Sequence, residues 1–511
     1  QCHKCQQPFD AHPTFRLAGD EAAGKQWIAC RACSQLLSCP LSAQRVTCPC
    51  GEVTQPESGH AVRGELQCPH CDAREQLIDY ARRTQTVPAF RIFAVETLRN
   101  RDVGRVPQNQ RRLRSSNATD LRVYAQAQRK LNSLLRRQPT LLPAGSIPTK
   151  GRSDSRLLSY GYRDYRQLFN ARQQLHLALL GLAIEKEEGA VRHALAIAFS
   201  DHLTTNNMMC AYAGGWRRLT PLFSIRAYRH IARPVELNPW LRNNGRGTFP
   251  NAVRSVVRAA AALKAPTEPA QRGGGIKSVM DSEPGECDIR CGDARNLSRI
   301  ASKSVHLVLT DPPYFDYISY SELGHFFTPW LARFGLIKPR LAKAFPTGQL
   351  ASAARSHAAE RQFARKLARA FQEINRVCQD EGRVVFTFQN LDGRGWHAIA
   401  VAMAKAGITP VRTFPFFGDS SASLHKHAQS ISWDCVVVCR LGKPMGEFSI
   451  GEVARESGIE RAKVWCRELK AKGLPVTKGD ETNIGHACAM VAEFAFRARI
   501  RHRSVNARHT A

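Results

Sequence analysis

The chain has 511 residues, 43% of them hydrophobic, and a formal net charge of +31. That length implies about three or four domains with real cores. No run of 18 apolar residues occurs, so neither a spanning helix nor a membrane partner is expected, and no signal peptide is visible at the start. The positive balance favours a polyanionic partner, DNA or RNA; charge alone does not separate that from a ribosome-like or membrane-surface basic protein.

Nine of the 17 cysteines fall before residue 72. Their CxxC spacing is that of metal sites in an intracellular protein rather than of a disulfide framework. Residues 1–78 read as two zinc ribbons. Cys2-His3-Lys4-Cys5 is followed by Cys30-Arg31-Ala32-Cys33, then Cys48-Pro49-Cys50 by Cys68-Pro69-His70-Cys71. Each knuckle presents two thiolates, and two knuckles complete a tetrahedron. Taken in chain order, Cys2, Cys5, Cys30 and Cys33 make one closed structural site, and Cys48, Cys50, Cys68 and Cys71 the other. Cys48-x-Cys50 is an unusually short knuckle, and Cys39 is a substitute ligand. So small a segment has little core, so two bound Zn2+ ions supply most of its folding energy.

From 79 to 145 the chain is arginine-rich, with helical spacing between Ala118 and Arg137. It reads either as a phosphate-contacting arm or as a solvated helix joining two domains. Residues 146–263 read as a mainly helical insertion, long and basic enough to carry target recognition. Leu168 to Leu182 and Val191 to Leu203 have amphipathic spacing; Asn206-Asn207 and Asn238-Pro239 suit caps and turns. Residues 264–275, with Gly273-Gly274-Gly275, read as a linker, so a new domain begins near Ile276.

Residues 276–445 alternate strand and helix. Predicted strands are Asp288–Cys291, Val305–Thr310, Arg383–Phe388, Thr409–Pro415 and Ser432–Arg440; predicted helices are Phe363–Val377 and Trp396–Ala406. The alternation implies a largely parallel, Rossmann-like sheet. Residues 446–511 begin with helices over Ile450–Glu456 and Glu460–Lys472 about a turn at Gly458. That spacing suits a helix-turn-helix or an ordinary helical hairpin. The basic tail is predicted to be mobile.

Five of the six residues in Val305–Thr310 are β-branched or Leu, and the run enters Asp311-Pro312-Pro313-Tyr314. Two prolines stop the strand, so a carboxylate, a locked backbone and an aromatic ring sit at its carboxyl end, where open α/β sheets bind ligands. With GDARNL at 292–297 and YSELGHFF at 320–327, this stretch resembles the amino-directed nucleic-acid methyltransferases. It is most similar to the adenine-specific DNA methylases that carry a zinc ribbon. The resemblance implies an α/β fold: a Rossmann-like methyltransferase domain with an antiparallel final strand, N-terminal zinc ribbons and a helical insertion. It also implies S-adenosylmethionine as cofactor, DNA rather than RNA as partner, and a prokaryotic cytoplasmic setting at the nucleoid.

The chemistry suits those residues. An exocyclic amine is a poor nucleophile because its lone pair is conjugated with the ring. Asp311 and the Pro312 carbonyl accept hydrogen bonds from it, Pro313 stiffens the notch, and Tyr314 offers a stacking face. Flipping the base costs a few kcal/mol, partly offset by stacking of roughly 1–3 kcal/mol. The resemblance places Asp293 near the donor's adenine; the alternative is a strand-ending turn beside Gly292. Phe315, Tyr317, Tyr320, Phe326, Phe327 and Trp330 are candidates for the base pocket, most of them with core-like spacing. The family's Phe-x-Gly-x-Gly loop is missing: Gly273–Gly275 follow no strand, and Phe417-Gly418 lacks a second glycine. With the abrupt start at Gln1, an upstream segment or partner chain carrying that loop is expected. Cytosine N4 or RNA guanine N2 methylation, and a non-catalytic zinc-ribbon binder with a degenerate domain, are the alternatives.

Overall fold

The computed structural model describes residues 1–98, 110–150, 152, 154–215, 217–224, 227–242, 247–265, 267–269, 276–278, 286–315, 320–340, 356–418 and 429–509. The chain forms two compact units: Gln1–Pro284 with Ser321–Pro346, and Gly285–Tyr320 with Thr347–Ala511. No described helix is long and apolar enough to cross a membrane.

The first unit opens with short antiparallel hairpins. β1 (Arg16–Asp20), β2 (Lys25–Ala29) and β3 (Leu36–Pro40) pair in that order. The arginine-rich stretch holds more than a helix, since Ala94–Leu98 pairs antiparallel with Arg111–Ser115. Arg217, 1% exposed, ties these pieces together. Its guanidinium lies 2.6 Å from Glu96 Oε1, donates to the Arg111 carbonyl and sits over the Trp27 ring. α1 spans Ala118–Arg137, started by a reciprocal Asn117–Asp120 capping box.

α2 (Ala171–Glu185), α3 (Gly189–Leu203) and α4 (Phe249–Lys264) build the helical core with Phe326, Trp330 and Phe334. Three asparagines here hold turns and helix ends. Asn170 caps α2 reciprocally with Gln173, Asn207 holds the turn after α3, and Asn238 accepts from the Trp240 amide. Arg152 and Glu322 form a fully desolvated ion pair at 3.0 Å in this core. The expected linker is partly structured, because Thr267–Pro269 pairs with Ile276–Ser278; Gly273–Gly275 lie outside the described residues.

The second unit is α/β. β4 (Val305–Thr310), β5 (Cys378–Phe388), β6 (Ile408–Phe417) and β7 (Trp433–Leu441) form a sheet of order β4-β5-β7-β6. β4 and β5 are parallel, and β7 is antiparallel to both its neighbours. Three strands therefore run one way and the last strand of the chain runs back between two of them. α5 (His357–Val377) buries Phe363, Leu367, Phe371 and Ile374, a stripe at helical spacing, and α6 (Arg394–Ala406) buries Trp396, Ile399 and Met403. They pack on the face carrying Val384, Phe386, Phe388, Cys435 and Val437. Gly407 ends α6 at φ +70°, where an added Cβ would lie 2.4 Å from the Gly442 carbonyl oxygen.

Two expectations change. Asp288–Cys291 forms no strand and is exposed, Ile289 90% so. A short extended run needs a paired neighbour, and it has none among the described residues. Gly458 makes no turn, because α7 is one helix over Glu452–Ala471. That glycine is instead a crossing point: a Cβ there would meet the Gly485 carbonyl oxygen of α8 (Lys478–His509) at 2.5 Å. The turn therefore falls between α7 and α8 rather than at Gly458. α8 continues through the basic segment, and Ile484, Ala487, Met490 and Phe494 join the core of the sheet.

Candidate metal centres and active-site edge

Four knuckles are built alike. The amides of Cys2, Cys30 and Cys68 donate to the carbonyls of Gln7, Gln35 and Ala73, while their own carbonyls accept from Gln6, Ser34 and Asp72. Those last three residues have φ between +55° and +61°, which turns the chain back sharply. The Cys48 knuckle is the same turn one residue shorter, closed from Gly51 and Glu52, with Gly51 at φ +89°. Its CxC spacing is thus a contracted knuckle rather than a doubtful one.

All eight predicted ligands gather in two clusters, Cys2, Cys5, Cys68 and Cys71, and Cys30, Cys33, Cys48 and Cys50. The pairing is nested, not in chain order as the sequence suggested: the first and last knuckles meet, as do the middle two. The hairpin that carries Cys48 and Cys50, Val46–Thr47 with Val53–Thr54, is tied to the Cys30 knuckle by the Arg31 amide, which donates to Thr54 Oγ1. Cys39 lies on β3, outside both clusters. Facing sulfurs are 3.6 and 3.7 Å apart in each cluster. That is far beyond a disulfide and close to the ~3.8 Å edge of a tetrahedron with 2.3 Å Zn–S bonds. The Lys4 and His70 amides donate to Cys2 Sγ and Cys68 Sγ. Each cluster can hold one zinc ion.

The second centre is the carboxyl edge of the β4–β5 pair. The register Thr310↔Phe386 sets Asp311 beside Thr387, whose hydroxyl donates to Asp311 Oδ1 at 2.7 Å. Asp311 is exposed, Pro312 buried, Pro313 and Tyr314 half-buried. The Tyr314 ring meets Phe388 edge-on at 5.6 Å, and Phe388 meets Trp396 at 5.0 Å. Burial, then the charges of Asp434 and Asp311, pushes the Tyr314 hydroxyl well above its ordinary range. Trp396 Nε1 donates to Asn483 of α8, which also binds the Asn390 amide and the Trp433 carbonyl. One buried amide thus fixes the ends of β5, α6 and β7.

Thr387 and Asp434 escaped the sequence reading. Thr387 had a signal as the polar member of the otherwise apolar run Val384–Phe388; Asp434, wedged between Trp433 and Cys435, had a weaker one. Asp293 lies exposed in the turn before β4, gripped by Arg295 through backbone and guanidinium, which holds its carboxyl at about 2. That is the turn-like alternative. Phe315 packs on Phe363. Phe326 and Trp330 are core residues of the first unit, Phe327 packs against Phe326 there, Tyr320 is exposed, and Tyr317 lies outside the described residues.

No family model matches the chain, and no curated protein matches it. Among solved structures, a protein of Thermus thermophilus described as a candidate DNA modification methylase is similar over 33% of this chain. In its complex with S-adenosyl-L-methionine the identity is 20% and the TM-score 0.18; in another crystal of it they are 18% and 0.17. This chain covers 59% and 57% of those two chains, less than two thirds of their length. At such scores the likeness carries no argument.

Proposed function

We propose that the chain is the target-base half of an S-adenosylmethionine-dependent adenine N6 DNA methyltransferase. The carrying observation is the exposed Asp311 carboxylate, fixed by Thr387 at the carboxyl end of a sheet strand and followed by Pro-Pro-Tyr. In that role Asp311 and the Pro312 carbonyl accept from the two amine N–H groups and draw the nitrogen toward a tetrahedral, nucleophilic shape. Tyr314 stacks on the extruded ring. Rate enhancement comes from positioning. Asp at the first motif position favours adenine by resemblance; cytosine N4 offers the same amine geometry. The +31 charge suits a nucleic-acid duplex.

Among the described residues Asp293 is paired with Arg295, and no glycine-rich loop follows a strand. A further strand-bearing segment, upstream or on a partner chain, supplies the methyl-donor site in this proposal. Two features support that. Among the described residues β4 pairs with β5 alone, and on the face away from α5 and α6 its Leu307 and Leu309 are 56% and 73% exposed. Parallel sheets are ordinarily covered on both faces, and an apolar open edge is a template for another strand.

The test is labelled-methyl transfer to duplex DNA and to RNA, with and without the neighbouring coding segment. Asp311→Ala should lower transfer at least on the order of 100-fold while salt-sensitive DNA binding persists. Equal transfer by the variant and the parent protein rejects the assignment. DNA binding by a parent chain that transfers nothing even with that segment favours a non-catalytic zinc-ribbon binder.

A further inference from the structure

We infer that the end of β5, Thr387-Phe388, is the template that sets Asp311 and Tyr314, with Thr387 the positioning residue for the catalytic carboxylate. This rests on the methyltransferase reading above. Two successive side chains meet the motif: Thr387 donates to Asp311 Oδ1, and Phe388 meets the Tyr314 ring edge-on. The parallel register makes this possible, because Phe386 lies opposite the last residue of β4 and everything after it faces the motif.

Thr387 sits between Phe386 and Phe388, which are both buried. A valine would suit that strand position as well, so the hydroxyl's particular contribution is its bond to Asp311. A hydroxyl has one proton to give. It occupies Oδ1 and fixes the carboxylate plane, leaving Oδ2 as the acceptor for an amine N–H. Phe388 is itself held by Trp396, and Trp396 by Asn483, so the backing of Tyr314 runs without a break into α8. The two prolines fix the backbone of the motif, but no proline sets the χ angles of Asp311. That falls to Thr387.

The test compares Thr387→Val, Thr387→Ser and the parent chain, assayed with the donor-carrying segment present. Hydrogen exchange at the Asp311, Tyr314 and Phe315 amides is read alongside methyl transfer and thermal melting. Thr387→Val should lower kcat about tenfold, as loss of a hydrogen bond to a charged group implies, with KM for DNA and the melting temperature unchanged. Exchange at those three amides should rise several-fold. Thr387→Ser should restore both. Parent-like kcat and exchange in Thr387→Val overturn the inference while leaving the methyltransferase reading intact. If the parent chain transfers no methyl group, that reading falls, and the exchange arm still decides whether Thr387 holds the motif.

Discussion

Nested pairing of the knuckles makes a prediction that chain-order pairing reverses. Two double variants separate them: Cys5→Ser with Cys68→Ser, and Cys5→Ser with Cys30→Ser. Cys5 and Cys68 face each other at 3.7 Å in one cluster, whereas Cys30 faces Cys50 at 3.6 Å in the other. A structural zinc site binds with about 10–16 kcal/mol, so one of four thiolates accounts for roughly 2.5–4 kcal/mol. Its loss weakens the site by about 10²–10³-fold, enough for a chelator to strip it. After dialysis against chelator, elemental analysis should find two zinc ions in the parent chain, one in the first double variant and none in the second. The opposite order, none in the first and one in the second, would refute the nested geometry. Two ions retained in both would remove these cysteines from the ligand set.

Two further outcomes follow from the packing. Gly458→Ala places a Cβ 2.5 Å from the Gly485 carbonyl oxygen and 2.6 Å from the Ala489 nitrogen. It should destabilise the chain by about 1–3 kcal/mol in denaturant, although helix propensity alone favours alanine by about 1 kcal/mol; a midpoint that rises would show that α7 and α8 do not cross there. The rings of His176 and His202 meet through their Nε2 atoms at 3.0 Å. Burial and then His202 push His176 down to about 3, and burial pushes His202 to about 4 against the opposing Gly247 carbonyl. Both stay neutral in the fold where the unfolded chain takes up protons below about pH 6.5. Their contribution is therefore complete above that pH and is lost as pH falls toward 4 and 3. His176→Phe should flatten the fall in melting temperature between pH 7 and 4.5, relative to the parent chain; parallel profiles would contradict the assignment.

Much of the second unit was legible because its elements carry their period locally. Val305–Thr310 there, like Ala118–Arg137 in the first unit, matches its predicted bounds, each fixed by a proline stop or a cap within a few residues. The failures share a cause. Gly458 was read as a turn because glycine is permissive, but what selects it is the α8 backbone, 27 residues further along the chain. The knuckle partners likewise depend on where the intervening hairpins carry the chain. Asp288–Cys291 has strand-like residues, yet a ladder is a property of two segments, and none of the described segments pairs with it. At the site, the Asp-Pro-Pro-Tyr motif announced itself; Thr387 did not, because its meaning lies in the β4–β5 register.

The concentric arrangement of the four knuckles also sets an order of assembly. Facing cysteines are 15 and 20 residues apart in the inner cluster and 63 and 69 in the outer. Closing the longer loop directly costs about 1 kcal/mol more in chain entropy. Once the inner ion is bound, much of the intervening chain is already gathered, and the outer closure becomes a short step. On that argument the amino terminus would be fastened last, once the inner cluster had gathered the chain between.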